Sequence, residues 1–149
     1  MRHLRLFVCA VPLVLFSVGC DEKLSDLTGP TPDLQPTMSS ITAQIFTNAD
    51  SSGRRACSGC HTDVGRTPAA GLNLKDAATA YAALVGRPSA RKAGATFVVP
   101  GDADGSYLVQ KLEGRTDIVG VRMPLGGPYL TDGQMLVVRR WIQSGAKND

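Results

Sequence analysis

One five-residue motif constrains this chain more than any other part of its sequence. Cys57, Cys60 and His61 form the pattern C-x-x-C-H. Two thiols at this spacing can each add to one vinyl group of a haem, and the imidazole that follows is then directed at the iron from the proximal side. The motif therefore predicts one covalently attached haem c, bound through Cys57 and Cys60, with His61 as the proximal iron ligand.

Other roles for this motif fit the sequence less well. A tetrahedral zinc site needs four ligands, and after its first 20 residues the chain offers only Cys57, Cys60 and His61 from the usual sulfur and nitrogen donors. A thioredoxin-like redox pair would follow a strand in a βαβ unit, for which the sequence gives no sign. A local disulfide between the two cysteines stays open, but it assigns no role to His61.

A haem iron held by His61 needs its second axial ligand from elsewhere in the chain. His61 is the only histidine left once an N-terminal leader containing His3 is removed, which excludes bis-histidine ligation within the chain. Methionine is the ordinary alternative. Met38 lies in a proline-containing segment, and Met135 fits the start of a helix. Met123 lies in an irregular stretch that the next residue, a proline, stiffens, so Met123 is predicted as the distal ligand. The alternative is that it fills a gap beneath the last helix.

The first 20 residues predict export. Basic residues precede an apolar run over residues 6–18 that is too short to span a bilayer, which is typical of a signal peptide over residues 1–19. The small residues before Cys20 suit cleavage between Gly19 and Cys20, and they resemble a bacterial lipobox that would make Cys20 a lipid-modified N-terminus. Ser17 stands where such motifs usually carry Leu, so a plain secretory cleavage at this bond stays open.

The charge balance argues against a nucleic-acid partner. The full chain has 16 basic and 13 acidic residues, for a net charge of +3. Removal of Arg2 and Arg5 with the leader leaves 14 basic and 13 acidic residues, so the net charge falls to +1. A nucleic-acid-binding protein needs a basic face that neutralises phosphates, and we expect none here.

The remainder of the chain predicts a tether followed by a small all-α domain. Residues 20–40 contain three prolines and no sustained period, which predicts a lipid-anchored cysteine and a flexible tether. Residues 41–149 form the predicted domain. Its hydrophobic spacing predicts four short helices joined by long loops, over about residues 41–48, 75–85, 105–112 and 131–145.

Capping signals accompany three of these predicted helices. We expect Ser39 or Ser40 to cap the first helix and Asp102 or Asp104 to cap the third. Thr131, with a glutamine three residues later, predicts a capping box at the start of the last helix.

Several short motifs occur in an order that resembles one protein family. They are Cys57-Ser-Gly-Cys-His61, Gly71-Leu-Asn-Leu74, Pro100-Gly-Asp102, Ser106-Tyr-Leu108, Arg122-Met-Pro124, Trp141-Ile142 and Gly145-Ala146. Over residues 41–147 the chain is similar to a monohaem class I cytochrome c domain, and especially to the planctomycete-type cytochrome c domains of exported bacterial proteins. The resemblance implies a class I fold wrapped around one covalent haem.

The resemblance also implies residue roles and a location. Cys57 and Cys60 would bind the haem covalently, and His61 and Met123 would be its axial ligands. The protein would lie on the periplasmic side of a bacterial membrane or at the cell surface, as a monomer with redox proteins as transient partners. A carbonyl within residues 68–72 is expected to accept the second ring N–H of His61.

Arg122 has two interpretations of equal standing, a contact to a haem propionate or a solvated surface charge. The expected function is a one-electron carrier rather than an enzyme, because two protein ligands leave the iron no open position. Two alternatives stay open. One is a haem-based sensor or accessory catalytic domain in which Met123 is labile, and the other is a non-haem thiol-redox lipoprotein that uses Cys57 and Cys60.

Overall fold

The computed structural model describes residues 29–149. It consists of short helices separated by long irregular segments. The α-helices are α1 (Met38–Ile41), α2 (Ala77–Leu84), α3 (Tyr107–Glu113) and α4 (Asp132–Gln143). A π-helical turn (Thr42–Phe46) continues α1, and short 3-10 turns form at Cys57–Gly59 and Ala69–Gly71. Within the described residues there are isolated β-bridges but no sheet, in agreement with the all-α prediction. The predicted signal peptide and Cys20 lie outside the described residues.

The last helix, α4, begins as predicted. The Thr131 hydroxyl accepts the N–H of Gln134 at 3.2 Å, and the Gln134 side-chain oxygen accepts the N–H of Thr131 at 3.0 Å. This reciprocal pair satisfies two backbone donors at the helix start, and it confirms the capping box. Leu130 and Met135 are both buried on either side of it, as a hydrophobic staple requires.

Helix α2 also follows the prediction made for residues 75–85. Asp76 caps it, because its side chain accepts the N–H of Thr79 at 2.8 Å. The chain leaves the helix at Val85, and Gly86 takes a φ of 67°, in the left-handed region that favours glycine. Leu84, on the inner face, is fully buried.

The predicted caps of α3 are wrong. The N-cap residue is Ser106, and the helix begins only at Tyr107. Asp102 instead accepts the N–H of Gly105 at 2.8 Å, so its carboxylate closes the turn that precedes the helix. The Ser106 hydroxyl is fully buried and accepts the N–H of Val99 at 2.9 Å, which ties the helix start to the preceding segment.

The described part of the predicted tether, residues 29–40, is not a tether. Leu34 and Met38 are both 0% exposed and belong to the core. Prolines block regular secondary structure, but they do not prevent an irregular segment from packing against its neighbours. The prediction of a flexible tether over 20–40, with a domain that starts at residue 41, is therefore wrong for residues 29–40.

The first helix consequently starts three residues earlier than predicted. Its N-cap is Thr37, whose hydroxyl accepts the N–H of Ser40 at 3.2 Å, so the predicted caps Ser39 and Ser40 are wrong. The Ser39 N–H donates to the Asp149 carbonyl at 2.8 Å. This contact joins α1 to the last described residue.

The helices pack around one hydrophobic core. Helix α3 packs on α4, while α1 and the π-helical turn pack on α2. Trp141 and Phe46 are the largest apolar side chains in the core, and the Trp141 indole N–H donates to the Lys147 carbonyl at 2.8 Å. None of the helices in residues 29–149 is long and apolar enough to cross a bilayer.

Candidate cofactor site

A cavity of about 490 Å³ opens beside the C-x-x-C-H motif. Cys57, Cys60 and His61 line it, and so does Met123 from the loop that follows α3. The volume falls within the range of about 300–1,000 Å³ that is typical of ligand and cofactor cavities. The structure therefore brings the two predicted attachment residues and the two predicted iron ligands to one place.

The rest of the cavity lining is mainly apolar. Much of it comes from Phe46, Leu72, Leu74, Phe97, Leu108 and Leu112. Three further lining residues, Val119, Val121 and Leu125, are 46%, 54% and 70% exposed. Clustered apolar surface of this kind is typical of a place that a ligand or partner covers.

A 3-10 turn shapes the motif. The Cys57 carbonyl accepts the N–H of Cys60 at 3.1 Å and the N–H of His61 at 2.9 Å. These bonds bring both sulfurs and the imidazole onto a single turn. Cys57 is half-buried, Cys60 is exposed, and both are free thiols.

The ring of His61 is oriented by a second 3-10 turn. Its Nδ1 lies 2.9 Å from the Ala69 carbonyl, which confirms the prediction of an acceptor within residues 68–72. The Ala69 N–H donates to the Cys60 carbonyl at 3.1 Å, so the two turns are joined directly. Because a carbonyl only accepts, this contact requires the proton on Nδ1 and leaves the Nε2 lone pair for a metal.

The protonation of His61 also suits a metal ligand. Burial lowers the pKa of His61, and hydrogen bonds from the imidazole to the backbone at Ala69 and Leu72 offset only part of that effect. A lowered pKa favours neutral imidazole at neutral pH. Neutral imidazole is the form that binds metals.

A buried arginine, which the sequence analysis missed, holds in place the segment that leads into the motif. Arg54 is 0% exposed. It donates to the carbonyls of Ile45 at 2.9 Å, Gln44 at 3.1 Å and Asn48 at 3.2 Å. The Cys57 sulfur lies 3.7 Å from the same Ile45 carbonyl. The arginine therefore binds the end of the π-helical turn to the segment that leads into the motif.

The charge of Arg54 is paired with a buried carboxylate. Its Nε lies 2.8 Å from Asp50 Oδ2, and the Asp50 side chain is only 3% exposed. Burial by itself would raise the pKa of Asp50, but hydrogen bonds from Ser52 and Arg54 and the arginine charge hold that pKa below its usual range. The Gln134 amide also reaches Asp50 Oδ2, at 3.4 Å, and so links this pair to the start of α4.

The thiol of Cys57 is not set up as a nucleophile. Burial raises the pKa of Cys57 to about 11, and the charge of nearby Arg54 offsets this only in part. Reactive redox thiols have lowered pKa values, because the thiolate is the reacting species. This environment disfavours Cys57 as the attacking thiol of a redox pair, whereas Cys60 is exposed.

Met123 is held in a loop that runs back along α3. Its side chain is half-buried and packs against the core, and its N–H donates to the Lys111 carbonyl at 2.9 Å. Arg122 is not among the residues that line the cavity. Its Nε donates to the Leu112 carbonyl at 2.7 Å, and its guanidinium carbon lies 3.9 Å from the centre of the Tyr129 ring. A propionate contact by Arg122 stays a prediction.

Three other basic residues do line the cavity, and the sequence analysis missed them. They are Arg55, Arg91 and Lys111. They come from separate parts of the chain, so no sequence motif links them, and only the fold brings them together. Guanidinium groups are well suited to bind carboxylates.

These residues fit a covalently attached haem by their chemistry. Free thiols of Cys57 and Cys60 can form thioether bonds, and the imidazole of His61 and the soft thioether of Met123 suit haem iron. The apolar lining suits the faces of a porphyrin, and the guanidinium groups of Arg55 and Arg91 suit its carboxylates. Within residues 29–149 no group of three or more His, Cys, Asp or Glu side chains is placed to hold a bare metal ion.

Comparison with other proteins adds no relative to this description. The chain matches no protein-family model, no curated protein and no solved structure. Inference about its function therefore rests on its own residues and their arrangement around the cavity.

Proposed function

We propose that this protein is a monohaem c-type cytochrome with a class I-like cytochrome c fold that carries single electrons near a bacterial membrane. One observation carries the proposal. The thiols and imidazole of the C-x-x-C-H motif and the thioether of Met123 line one largely apolar cavity. The thiol-redox alternative would use only Cys57 and Cys60, and the sensor alternative would leave Met123 labile.

Each group has a distinct part in the proposal. Cys57 and Cys60 anchor the cofactor through thioether bonds. His61, oriented by Ala69, provides the proximal nitrogen, and Met123 provides the distal sulfur. Haem bound in this way supplies exchange of one electron between Fe(II) and Fe(III).

The surroundings of these groups favour electron transfer over catalysis. A neutral thioether and an apolar lining both favour the less charged, reduced iron, so we expect a relatively high reduction potential. Two protein ligands leave no position open for oxygen or peroxide.

The setting proposed for the protein follows from its N-terminus. Export by residues 1–19 and a lipid on Cys20 would hold the domain at the periplasmic side of a membrane or at the cell surface. Because packed structure already starts in residues 29–40, the segment between the anchor and the domain would be shorter than the predicted tether over 20–40. Redox proteins are the proposed partners, in transient contact with a monomer.

Absorption spectroscopy tests this proposal. The full chain, expressed in a bacterium with haem-maturation machinery, should give the pyridine haemochrome spectrum of a c-type haem and a mass that exceeds the peptide by one haem. The oxidised protein should show the weak red band of a methionine–iron bond. A matched preparation of Cys57→Ala with Cys60→Ala should lack covalent haem.

Two results would contradict the proposal in different ways. A colourless protein with the mass of bare peptide would eliminate haem altogether. A haem protein that readily binds cyanide or carbon monoxide and shows no methionine–iron band would favour the sensor or accessory catalytic alternative.

A further inference from the structure

The Met123 loop, defined as residues 119–125, is tied to α3 by polar contacts that no sequence motif indicates. The Lys111 ammonium donates to the Val119 carbonyl at 3.0 Å and also to the Val121 carbonyl. The Lys111 carbonyl accepts the N–H of Met123 at 2.9 Å. The Val119 N–H donates to the Tyr107 hydroxyl at 3.0 Å. One residue of α3, Lys111, thus contacts this loop at three of its positions.

Arg122 adds a contact to the next residue of the helix. Its Nε donates to the Leu112 carbonyl at 2.7 Å, and its guanidinium lies over the Tyr129 ring. Gly114, which ends α3 with a φ of 74°, makes room for it. A Cβ at Gly114 would lie 2.7 Å from Cδ of Arg122, so a larger residue there would displace the arginine stem.

The loop has little apolar burial to hold it in place. Val121 is 54% exposed and Leu125 is 70% exposed. Gly120, the second residue of the loop, has a φ of 76° and adds no side chain. Apart from Met123, the loop therefore buries little apolar area against the protein itself, and its hydrogen bonds to α3 fix its position there.

We propose that Lys111 and Arg122 are positioning residues that hold the Met123 thioether in place as the distal ligand of the haem iron. The inference rests on the proposed function, because it assigns Met123 to the iron. A thioether is a neutral, weak ligand, so its occupancy depends on how firmly its loop is held. Lysine suits this task because one ammonium has three donors, and two of them reach the loop carbonyls.

The test removes the ammonium while it keeps the length of the side chain. In the haem-loaded Lys111→Met variant we expect a weaker methionine–iron band and a lower reduction potential. We also expect imidazole to bind the oxidised protein about tenfold faster, because the lost hydrogen bonds have a charged donor and are stronger than neutral ones. The covalent haem content, measured as the pyridine haemochrome, should not change, since Cys57 and Cys60 are untouched.

Matched variants separate position from charge. Lys147→Met removes a charge from an exposed residue outside the loop and should behave as the wild type does. Lys111→Arg keeps donors near the two carbonyls and should restore most of the band. Arg122→Lys keeps the charge but removes the Nε that binds Leu112, and it should speed imidazole binding in the same direction as Lys111→Met.

The outcomes distinguish this inference from the proposed function. A wild-type protein without haem, or without the methionine–iron band, would overturn the assignment of Met123 itself. A wild-type protein with the band, together with Lys111→Met and Arg122→Lys variants that match it in band, potential and imidazole rate, would overturn the positioning role alone. If Lys111→Met accumulates poorly, the methionine–iron band, the reduction potential and the imidazole binding rate are measured in Lys111→Gln and Arg122→Lys.

Discussion

Arg54 and Arg55 are adjacent in the sequence but lie in opposite environments. Arg54 is 0% exposed and paired with Asp50, whereas Arg55 is exposed and lines the cavity. A buried guanidinium is tolerated only when its charge is paired and its N–H groups have acceptors. Asp50 and the four backbone carbonyls around Arg54 meet that condition, so the arginine fixes the approach of the chain to the motif.

Replacement of this arginine should be strongly destabilising. Arg54→Met keeps much of the side-chain volume but leaves the Asp50 carboxylate buried without its partner. Removing one member of a buried pair costs about 3–5 kcal/mol. Denaturant unfolding of the haem-loaded protein measures the loss. Arg140→Met, at an exposed position of α4, should change the free energy of unfolding by less than about 0.5 kcal/mol.

Asp50 should make stability depend on acid pH. Its pKa is lower in the folded chain than the value of about 3.9 that an unfolded aspartate has. The unfolded state therefore binds more protons in this range, and stability falls as the pH drops below about 4 through the lowered pKa. The free energy of unfolding, measured from pH 5 to pH 3, should fall more steeply in the wild type than in Asp50→Asn. Equal slopes would mean that another carboxylate is responsible.

At the scale of an element, local patterns predicted some helices well and others badly. The start of α4 was predictable because both halves of its capping box lie within four residues. The start of α1 was not, because Leu34 and Met38 are ordered by the core and not by a local period. Proline spacing indicates where regular structure cannot form. It does not indicate whether an irregular segment is buried.

A core substitution tests whether residues 29–40 belong to the domain. Leu34→Ala should destabilise the folded protein by about 2–5 kcal/mol, because Leu34 is fully buried. Its exposed neighbour in the same segment gives the control, since Gln35→Ala should cost less than about 0.5 kcal/mol. Equal unfolding midpoints for the two variants would show that this segment is not part of the core and is a flexible tether, as the sequence predicts.

Across the whole molecule, the residues of the candidate site were easier to predict than the residues that hold them in place. Cys57, Cys60 and His61 are contiguous, so one motif places all three in the cavity. Met123 followed by elimination among the methionines. Lys111 could not be found in this way, because its role depends on how the loop lies along α3. Covalent attachment of haem requires particular residues at a fixed spacing, so a sequence motif indicates it. Every residue has a backbone carbonyl, so a hydrogen bond to that carbonyl requires no particular residue type and leaves no motif.

The cavity also makes the stability of the whole molecule depend on what fills it. About 490 Å³ of largely apolar lining, with Val119, Val121 and Leu125 exposed, is surface that a bound haem would remove from water. A cofactor that binds only the folded state stabilises that state. We therefore expect Cys57→Ala with Cys60→Ala, which cannot attach haem covalently, to be mostly unfolded. Ser58→Ala, in the same turn, keeps both thiols and should melt as the wild type does. A cooperative thermal transition of the double variant near the wild-type midpoint would show that the packed helices hold the cavity open without the cofactor.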